Sequence, residues 1–360
     1  MPNSNRILSG LPAWTIAAPV VAGAVLLGSG FDFGGYYVIL IALALTGSVF
    51  AAVHHAEVVA HRVGEPYGTL VLALAVTLIE VALIVSLMIA GGAEAAALAR
   101  DTVFAAVMII LNGIVGLCLL VGGIKHRQQV FSLDGVSAAL VALATIAVMT
   151  LVFPNFTVTT PGPFYSSGQL VLIAVVSLLV YGAFIFTQTV GHRPFFLEDN
   201  EQHASGTPSS ATAGASSVLL LLCLTAVVLL AKKLAPDLEA AVARTGAPQA
   251  VVGVIIAGIV LLPEGLAALR AARQNRLQTS LNLALGSALA SIGLTIPAVS
   301  VLSLWMNSKL MLGIDAKSMV LLMLSLFIAT LVLRTGRTII LHGVVLLMVF
   351  AVFLFTTVVP

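Results

Sequence analysis

Charged residues are scarce in this sequence. Only 8% of its 360 residues are Asp, Glu, Lys or Arg, and 60% are hydrophobic, whereas an ordinary soluble domain is about one quarter charged. A soluble chain of this composition would have too few polar side chains to cover its surface. Lipid tails, in contrast, accept apolar side chains directly. The composition therefore predicts an all-α polytopic membrane protein whose outer surface contacts the lipid bilayer.

The chain also has few cysteines and lacks two common catalytic motifs. Cys118 and Cys223 lie in apolar runs, so neither a disulfide framework nor a zinc motif is available. No His-Glu-x-x-His or Gly-x-Ser-x-Gly element occurs, which argues against a metalloprotease and a serine hydrolase. We expect no enzymatic activity and no cofactor. The net charge of +2 gives no indication of nucleic-acid binding.

Long apolar segments recur along the chain, and roughly 20 apolar residues cross the hydrocarbon core as a helix. Turn and charge signals, such as Gly64-Glu65-Pro66, separate 11 of these segments. Arg6 and the first segment loosely resemble a secretory signal, but the segments that follow favour an uncleaved first helix. The predicted spans are 12–29, 36–56, 68–91, 102–123, 136–153, 168–188, 217–234, 248–268, 279–304, 318–333 and 338–359.

One long polar stretch divides the chain. Residues 191–217 contain an acidic cluster from Glu198 to Glu201, followed by a Ser/Thr/Ala/Gly tract. Because this composition cannot bury a core, we predict a flexible, acidic and Ser-rich cytoplasmic linker. The predicted organisation is a leading transmembrane helix (1–30), a first five-helix repeat (31–190), the linker (191–217) and a second five-helix repeat (218–360).

Lys and Arg residues set the predicted orientation, because cytoplasmic loops carry an excess of them. With a cytoplasmic N-terminus, 10 basic residues lie in cytoplasmic loops and 6 on the far side. We therefore predict a cytoplasmic N-terminus and a periplasmic or extracellular C-terminus. The predicted cytoplasmic basic residues are Arg6, Arg62, Lys125, Arg127, Arg193, Arg270, Arg273, Arg276, Arg334 and Arg337.

Two glutamates lie near the middle of predicted spans. Glu80 is in the third span and Glu264 in the eighth, and neither has a Lys or Arg within four positions. An ionisable group in the membrane is costly and marks an ion or proton pathway by default, although a single one can also be a structural hydrogen-bonding residue. Pro263 has no N–H and frees the carbonyl of Ile259. A free carbonyl beside a carboxylate suits a hard cation.

The two glutamates occupy matching places in the two halves, each in the second helix of its five. Each glutamate helix is followed by a short polar connection and a helix with small and oxygen-bearing residues. Because five is an odd number, the second half is predicted to be inverted, as in many secondary transporters. Asn112, Asn282, Ser287 and Ser291 are candidate neutral ligands, although small residues also line helix contacts in lipid.

At these residues the chain resembles the calcium/cation antiporter superfamily, and within it the bacterial calcium/proton (sodium–potassium/proton) antiporter branch of the ChaA type. Residues 56–70, Ala-Glu-Val-Val-Ala-His-Arg-Val-Gly-Glu-Pro-Tyr-Gly-Thr-Leu, and the run from there to Glu80 are similar to the first signature of that branch. Pro263-Glu264-Gly265, followed by 282–288, Asn-Leu-Ala-Leu-Gly-Ser-Ala, is similar to the second. The resemblance covers nearly the whole chain.

The resemblance implies secondary active antiport by alternating access, in which Glu80 and Glu264 bind cation and proton alternately. It implies calcium as the transported cation, inorganic cations and protons as the partners, and the cell inner (plasma) membrane as the location. Many members have Gly-Asn-x-x-Glu at each glutamate, but this chain has Val76-Thr77 and Val260-Leu261 there. Thr77 is then the nearest neutral oxygen. Because calcium prefers six to eight oxygens, a sparser site also admits sodium or potassium.

A histidine cluster offers a second candidate site. His54, Glu57 and His61 share one helix face, and His55 and Glu65 lie nearby in the sequence. Imidazole and carboxylate suit zinc, and histidine titrates near neutral pH. A transition-metal site, a proton pathway or regulatory site, and a polar cap on a helix end are the alternative interpretations. The alternatives to a calcium antiporter are accordingly a zinc or manganese transporter, a channel and a polytopic membrane enzyme.

Overall fold

The computed structural model describes residues 11–29, 36–64, 67–91, 96–196, 208–306 and 308–359. Within these ranges the chain forms eleven membrane-type helices, and nine of them are long and apolar enough to cross a membrane. The predicted all-α polytopic membrane fold is therefore confirmed. The helices are α1 (Ala13–Gly28), α2 (Tyr36–Val63), α3 (Tyr67–Gly91), α4 (Leu98–His126), α5 (Leu133–Phe156), α6 (Ser167–Gly191), α7 (Ser210–Arg244), α8 (Ala250–Arg273), α9 (Leu277–Trp305), α10 (Ala316–Leu333) and α11 (Ile340–Val358).

Three helices depart from regular α geometry. A π-helical segment occupies Ile109–Ile114 in the middle of α4, and similar segments, Val148–Val152 and Thr187–Gly191, lie towards the ends of α5 and α6. A π turn has one more residue than an α turn, so it shifts the register of the side chains on either side, and it is frequent at functional sites. The segment in α4 contains the candidate ligand Asn112.

The helices pack into two compact units, residues 1–92 with 202–244 and residues 93–201 with 245–360. The first unit contains α1, α2, α3 and α7, and the second contains the other seven helices. These units differ from the two predicted repeats, because α7 belongs to the second repeat in sequence but packs extensively along α2. Packing therefore groups these helices differently from their order along the chain.

The start of α7 corrects the predicted linker. Residues 210–217 form the first two turns of the helix, whereas the sequence predicts a flexible tract up to residue 217. The Ser209 hydroxyl accepts the Thr212 N–H at 3.1 Å and caps the helix. Ala213 and Ser216 are buried, because small residues allow close helix packing. The acidic cluster of the predicted linker lies outside the described residues.

One end of the second unit gathers four interhelical connections. The Lys125 ammonium donates to the Arg273 carbonyl at 2.9 Å, and the two-residue strands β1 (Gln129–Val130) and β2 (Arg337–Thr338) pair antiparallel. The Gln278 amide donates to the Phe195 carbonyl at 3.4 Å. These contacts place eight basic residues at the same end of the unit: Lys125, Arg127, Arg193, Arg270, Arg273, Arg276, Arg334 and Arg337.

The opposite end of the second unit has fewer basic residues, and two of them pair with other groups. Arg100 contacts Asp101 at 2.8 Å and donates to the Gly313 carbonyl at 2.9 Å. Lys317 donates to the Thr356 carbonyl at 2.6 Å and so satisfies the end of α11. The basic residues that the sequence predicts to be cytoplasmic in this unit thus lie together at one of its ends, and the orientation itself stays a prediction.

Small residues bring α4 and α11 into close contact. A Cβ atom at Gly343 would overlap the backbone of Gly116 and Leu120, which shows that these helices approach at backbone distance. In lipid the hydrophobic effect does not drive helices together, and close van der Waals packing at small residues stabilises their association instead. The same helix α4 carries Asn112, so this crossing fixes the position of a candidate ligand.

The orientation can be tested with single cysteines in a chain whose Cys118 and Cys223 are replaced by alanine. Gln128 lies in the exposed loop at the basic end, and Val158 is 94% exposed in the α5–α6 connection. The two test variants are Gln128→Cys and Val158→Cys. In intact cells, a membrane-impermeant maleimide is expected to label Val158→Cys and to leave Gln128→Cys unlabelled. Both should react after permeabilisation, and the reversed pattern in intact cells would show that the orientation is wrong.

The α4–α11 crossing predicts a strong effect of one methyl group. Gly343→Ala should lower the thermal unfolding midpoint of the purified protein, because the overlap is with backbone and costs about 1–3 kcal/mol. Gly258→Ala in α8 is the matched control, since a Cβ there meets no heavy atom within 4 Å. The control is expected to be neutral or slightly stabilising. Equal midpoints for the two variants would contradict the close crossing.

Candidate functional site

Glu80 is buried near the middle of α3. Its side chain is 3% exposed, and Thr77, one turn earlier on the same face, is 6% exposed. The Thr77 hydroxyl oxygen is buried and has no hydrogen-bond partner among the residues that the structure describes. A threonine in a helix commonly bonds a carbonyl of the preceding turn. Thr77 thus lies one turn before Glu80 with a buried hydroxyl, and its role as a neutral ligand stays a prediction.

Glu264 lies in α8, directly after Pro263. The helix continues through the proline, which leaves the carbonyl of Ile259 without its usual helical N–H partner. Both carboxylate oxygens of Glu264 are buried. Gly265 packs against the side chain of Ile114, so the backbone of α8 beside Glu264 lies close to the π segment of α4. The two elements that carry Glu264 and Asn112 are therefore direct neighbours.

Asn112 is fully buried in the π segment. Its Nδ2 donates to the Ser325 hydroxyl of α10 at 2.8 Å and lies 3.4 Å from the Met108 carbonyl oxygen. Its Oδ1 is buried and has no hydrogen-bond partner within the described ranges, and an unsatisfied buried acceptor costs about 1–3 kcal/mol. Such an oxygen is a natural ligand for a cation. The sequence does not predict Ser325, because an isolated serine in an apolar helix has no distinctive pattern.

The candidate ligands of α9 differ in their burial and in their hydrogen bonds. Ser291 is buried, and Ser287 is partly buried four positions earlier on the same face. Thr295 continues this face, and its buried hydroxyl has no hydrogen-bond partner in the described part of the chain. The sequence does not single out this residue. The Asn282 amide donates to the Phe196 carbonyl at 2.5 Å and accepts from Gln278 at 2.9 Å. Both of its polar groups are thus engaged in structural hydrogen bonds.

The histidine cluster is divided in the structure. The ring of His54 packs against Trp14 of α1 at a centroid distance of 5.8 Å. His55 is fully buried, and its Nε2 lies 3.2 Å from the Thr15 carbonyl oxygen. Glu57 and His61 are exposed. These contacts give His54, which is partly buried, and His55 a packing role between α1 and α2. Glu65 lies outside the described residues.

No group of three or more histidine, cysteine or acidic side chains arranged to hold a metal ion occurs in the part of the chain that the structure describes. The transition-metal interpretation of the histidines therefore has no support from their arrangement. The fold and the buried glutamates together define a polytopic membrane transporter with ionisable groups inside its membrane helices.

A family model described as "Sodium/calcium exchanger protein" matches residues 33–190 and 215–359. The chain belongs to this family. Each matched stretch lies within three residues of the bounds of one predicted five-helix repeat (31–190 and 218–360). The predicted resemblance to the calcium/cation antiporter superfamily is therefore confirmed.

Two relatives cover most of the chain. A protein of Sinorhizobium fredii (strain NBRC 101917 / NGR234), named as an ionic transporter, y4hA, is 51% identical over 319 residues. The sodium-potassium/proton antiporter ChaA of Escherichia coli (strain K12) is 38% identical over 324 residues. Both alignments cover 88% of this chain and 87% of the relative, so the predicted ChaA-type branch is also confirmed.

Solved structures share the fold at low sequence identity. The native YfkE structure matches with a TM-score of 0.76 at 16% identity, and the match covers 96% of this chain and 100% of YfkE. The H⁺/Ca²⁺ exchanger CAX matches with a TM-score of 0.71 at 16% identity, over 95% of this chain and 87% of CAX. These matches confirm the helical transporter fold.

The divided histidine cluster predicts the result of a zinc titration. The purified protein should show no saturable binding at micromolar zinc, because His54 and His55 are packed against α1 while His61 is exposed. Isothermal titration calorimetry in detergent measures this directly, with the His54→Ala, His61→Ala double variant as the control. Micromolar binding that disappears in the double variant would restore the metal-site interpretation.

Proposed function

We propose that this protein is a secondary active antiporter that exchanges calcium for protons across the membrane by alternating access, and that sodium and potassium are also admitted. The observation that carries the proposal is the burial of Glu80 and of the carboxylate oxygens of Glu264 within membrane helices, in a chain related to cation/proton antiporters. The name of a 24% identical relative from Aphanothece halophytica, a Ca²⁺/H⁺ antiporter, supports the choice of calcium.

Competition at the two carboxylates gives the exchange its chemistry. Burial favours the protonated form of a carboxylate, and a bound cation favours the ionised form. Cation binding therefore releases protons, and proton binding releases the cation. Two carboxylates hold two protons or one divalent cation at the same net charge, so calcium and protons replace each other without leaving a net charge in the membrane.

Neutral oxygens complete the proposed coordination. The Thr77 hydroxyl and the Asn112 carbonyl oxygen are buried and lack a hydrogen-bond partner among the described residues. The Ile259 carbonyl loses its helical N–H partner because Pro263 has none. Ser287 and Ser291 are further candidates on α9. Because Asn282 is engaged in two hydrogen bonds, its role in our proposal is structural. The chain offers oxygen ligands of the kind that hard cations prefer.

The alternative of a zinc or manganese transporter is less well supported, because it depends on the divided histidine cluster. A regulatory or proton-pathway role for His54, His55, Glu57, His61 and Glu65 stays a prediction. We further propose that the protein lies in the inner membrane with a cytoplasmic N-terminus, in keeping with the basic end of the second unit.

The direct test is proton flux in inverted vesicles with an acid interior, to which calcium, sodium and potassium are added in turn. The transported cation should dissipate the pH gradient. Glu80→Gln and Glu264→Gln should reduce this flux to the level of vesicles without the protein, because glutamine cannot exchange a proton for a cation. Glu239→Gln, in the C-terminal part of α7, is the control and should exchange normally.

If either Glu80→Gln or Glu264→Gln transports at the wild-type rate, that residue does not carry the exchanged ion. If no cation dissipates the gradient although the wild-type protein is folded and inserted, the antiporter proposal is wrong. Unchanged membrane insertion of each variant, measured by protease protection, separates loss of transport from loss of folding.

The competition also fixes a pH dependence. Lowering the pH on the side of cation uptake protonates the carboxylates, so the half-saturating cation concentration should rise as pH falls. The expected slope is about tenfold per pH unit for each proton displaced by the cation. Initial rates measured against cation concentration at several pH values give this slope. A half-saturating concentration independent of pH would exclude competition at a shared carboxylate.

A further inference from the structure

The orientation of the Asn112 amide group is decided by its neighbours. Its nitrogen faces three acceptors, namely the Ser325 oxygen at 2.8 Å, the Met108 carbonyl at 3.4 Å and the Met108 sulfur at 3.8 Å. The opposite orientation would place the amide oxygen against these electron-rich atoms. The nitrogen must therefore point towards Ser325 and Met108, and Oδ1 points away from them.

Ser325 accepts a hydrogen bond from Asn112 and donates its own elsewhere. Its own hydroxyl hydrogen is directed to the Leu321 carbonyl of α10 at 2.7 Å, with the Met108 sulfur at 3.5 Å as a weaker acceptor. The lone pairs of the hydroxyl oxygen remain for the Asn112 N–H. Ser325 is fully buried, so water does not replace this contact. The serine therefore selects one of the two amide orientations.

The selected orientation leaves Oδ1 of Asn112 buried and without a hydrogen donor. Among the residues that the structure describes, no donor reaches this atom, although buried acceptors are usually satisfied. The π segment that carries Asn112 packs against α8 beside Glu264, through the contact of Ile114 with Gly265. An amide oxygen held in this way is suited to bind a cation rather than a protein group.

We propose that Ser325 is a positioning residue for cation binding, which holds the Asn112 amide so that Oδ1 faces the transported cation. The inference rests on the proposed antiport and assigns a role to a helix, α10, that carries neither glutamate. Ser325 does not touch the cation itself. Its hydroxyl fixes one neutral ligand in advance, so that binding does not require the amide group to be reoriented.

A purely structural hydrogen bond between α4 and α10 is the competing interpretation. It would contribute to stability whichever way the amide group pointed, and it would not affect the affinity for cation. The two interpretations therefore predict different half-saturating calcium concentrations when the Ser325 hydroxyl is removed. This concentration must be measured separately from the maximal rate and from the unfolding temperature.

The test compares wild type, Ser325→Ala and Ser300→Ala in inverted vesicles, with calcium as the added cation. Ser300 is the matched control, because it is also buried and its hydroxyl also donates to its own helix, at 2.7 Å to the Ile296 carbonyl. Ser325→Ala should raise the half-saturating calcium concentration about tenfold and change the maximal rate less than about twofold. Ser300→Ala should change neither.

Two further variants make the test specific. Ser325→Thr keeps the hydroxyl and should restore the half-saturating concentration to nearly the wild-type value. In an Asn112→Ala background, Ser325→Ala should have no additional effect, because the ligand that it positions is already absent. Some variants will transport too slowly for flux measurements. For these, calcium affinity is compared through the rise in unfolding temperature that calcium causes in the purified protein.

The outcomes distinguish this inference from the proposed function. If wild-type protein neither transports nor binds calcium, sodium or potassium, the proposed function fails and the inference fails with it. If wild type exchanges a cation but Ser325→Ala has the wild-type half-saturating concentration, the inference alone is overturned. The same conclusion follows if Ser325→Ala raises that concentration equally with and without Asn112, since the effect would then bypass the amide.

Discussion

The hydrocarbon core of the membrane penalises every charge and every unsatisfied polar atom, and this constraint determines both the fold and the site. Helices satisfy the backbone, and apolar side chains cover their outer surfaces. The few polar atoms left inside are then informative. Glu80, Glu264, Thr77 and Asn112 bring carboxylate, hydroxyl and amide oxygens into membrane helices, where a bound proton or cation offsets their cost.

Departures from regular helix geometry occur where these oxygens are needed. Pro263 releases a carbonyl one turn before Glu264, and the π segment Ile109–Ile114 carries Asn112. Each irregularity removes a backbone hydrogen bond or changes a register, so it would be unfavourable if it faced lipid. Both lie on elements packed against each other within the second unit, where Gly265 allows the close approach. Both irregularities therefore face protein, and in our proposal they supply oxygen ligands to the transported cation.

Hydropathy predicts the eleven helices well because the membrane imposes length and composition directly on the sequence. It fails at residues 210–217, where the Ser/Thr/Ala/Gly tract has the composition of a linker but is helical in the packed structure. The intramembrane glutamates stand out because charges are rare in spans. The sequence marks Asn282 as a candidate ligand but does not reveal its hydrogen bond to Phe196, and it does not mark Ser325 at all. The partners of these residues, Phe196 and Asn112, lie far away in sequence.

Polar groups in this protein divide according to whether their neighbours can satisfy them. Asn282 donates to Phe196 and accepts from Gln278, so both ends of its amide are satisfied. Among the described residues, the amide of Asn112 is satisfied at its nitrogen alone. A fully satisfied amide group contributes rigidity, and a half-satisfied one retains a binding capacity at a cost in stability. An unsatisfied buried oxygen such as Oδ1 of Asn112 lowers the stability of the protein. We therefore attribute its presence between packed helices to a ligand that must bind and leave. A site that was satisfied by the protein itself would have no reason to release a proton when a cation arrives.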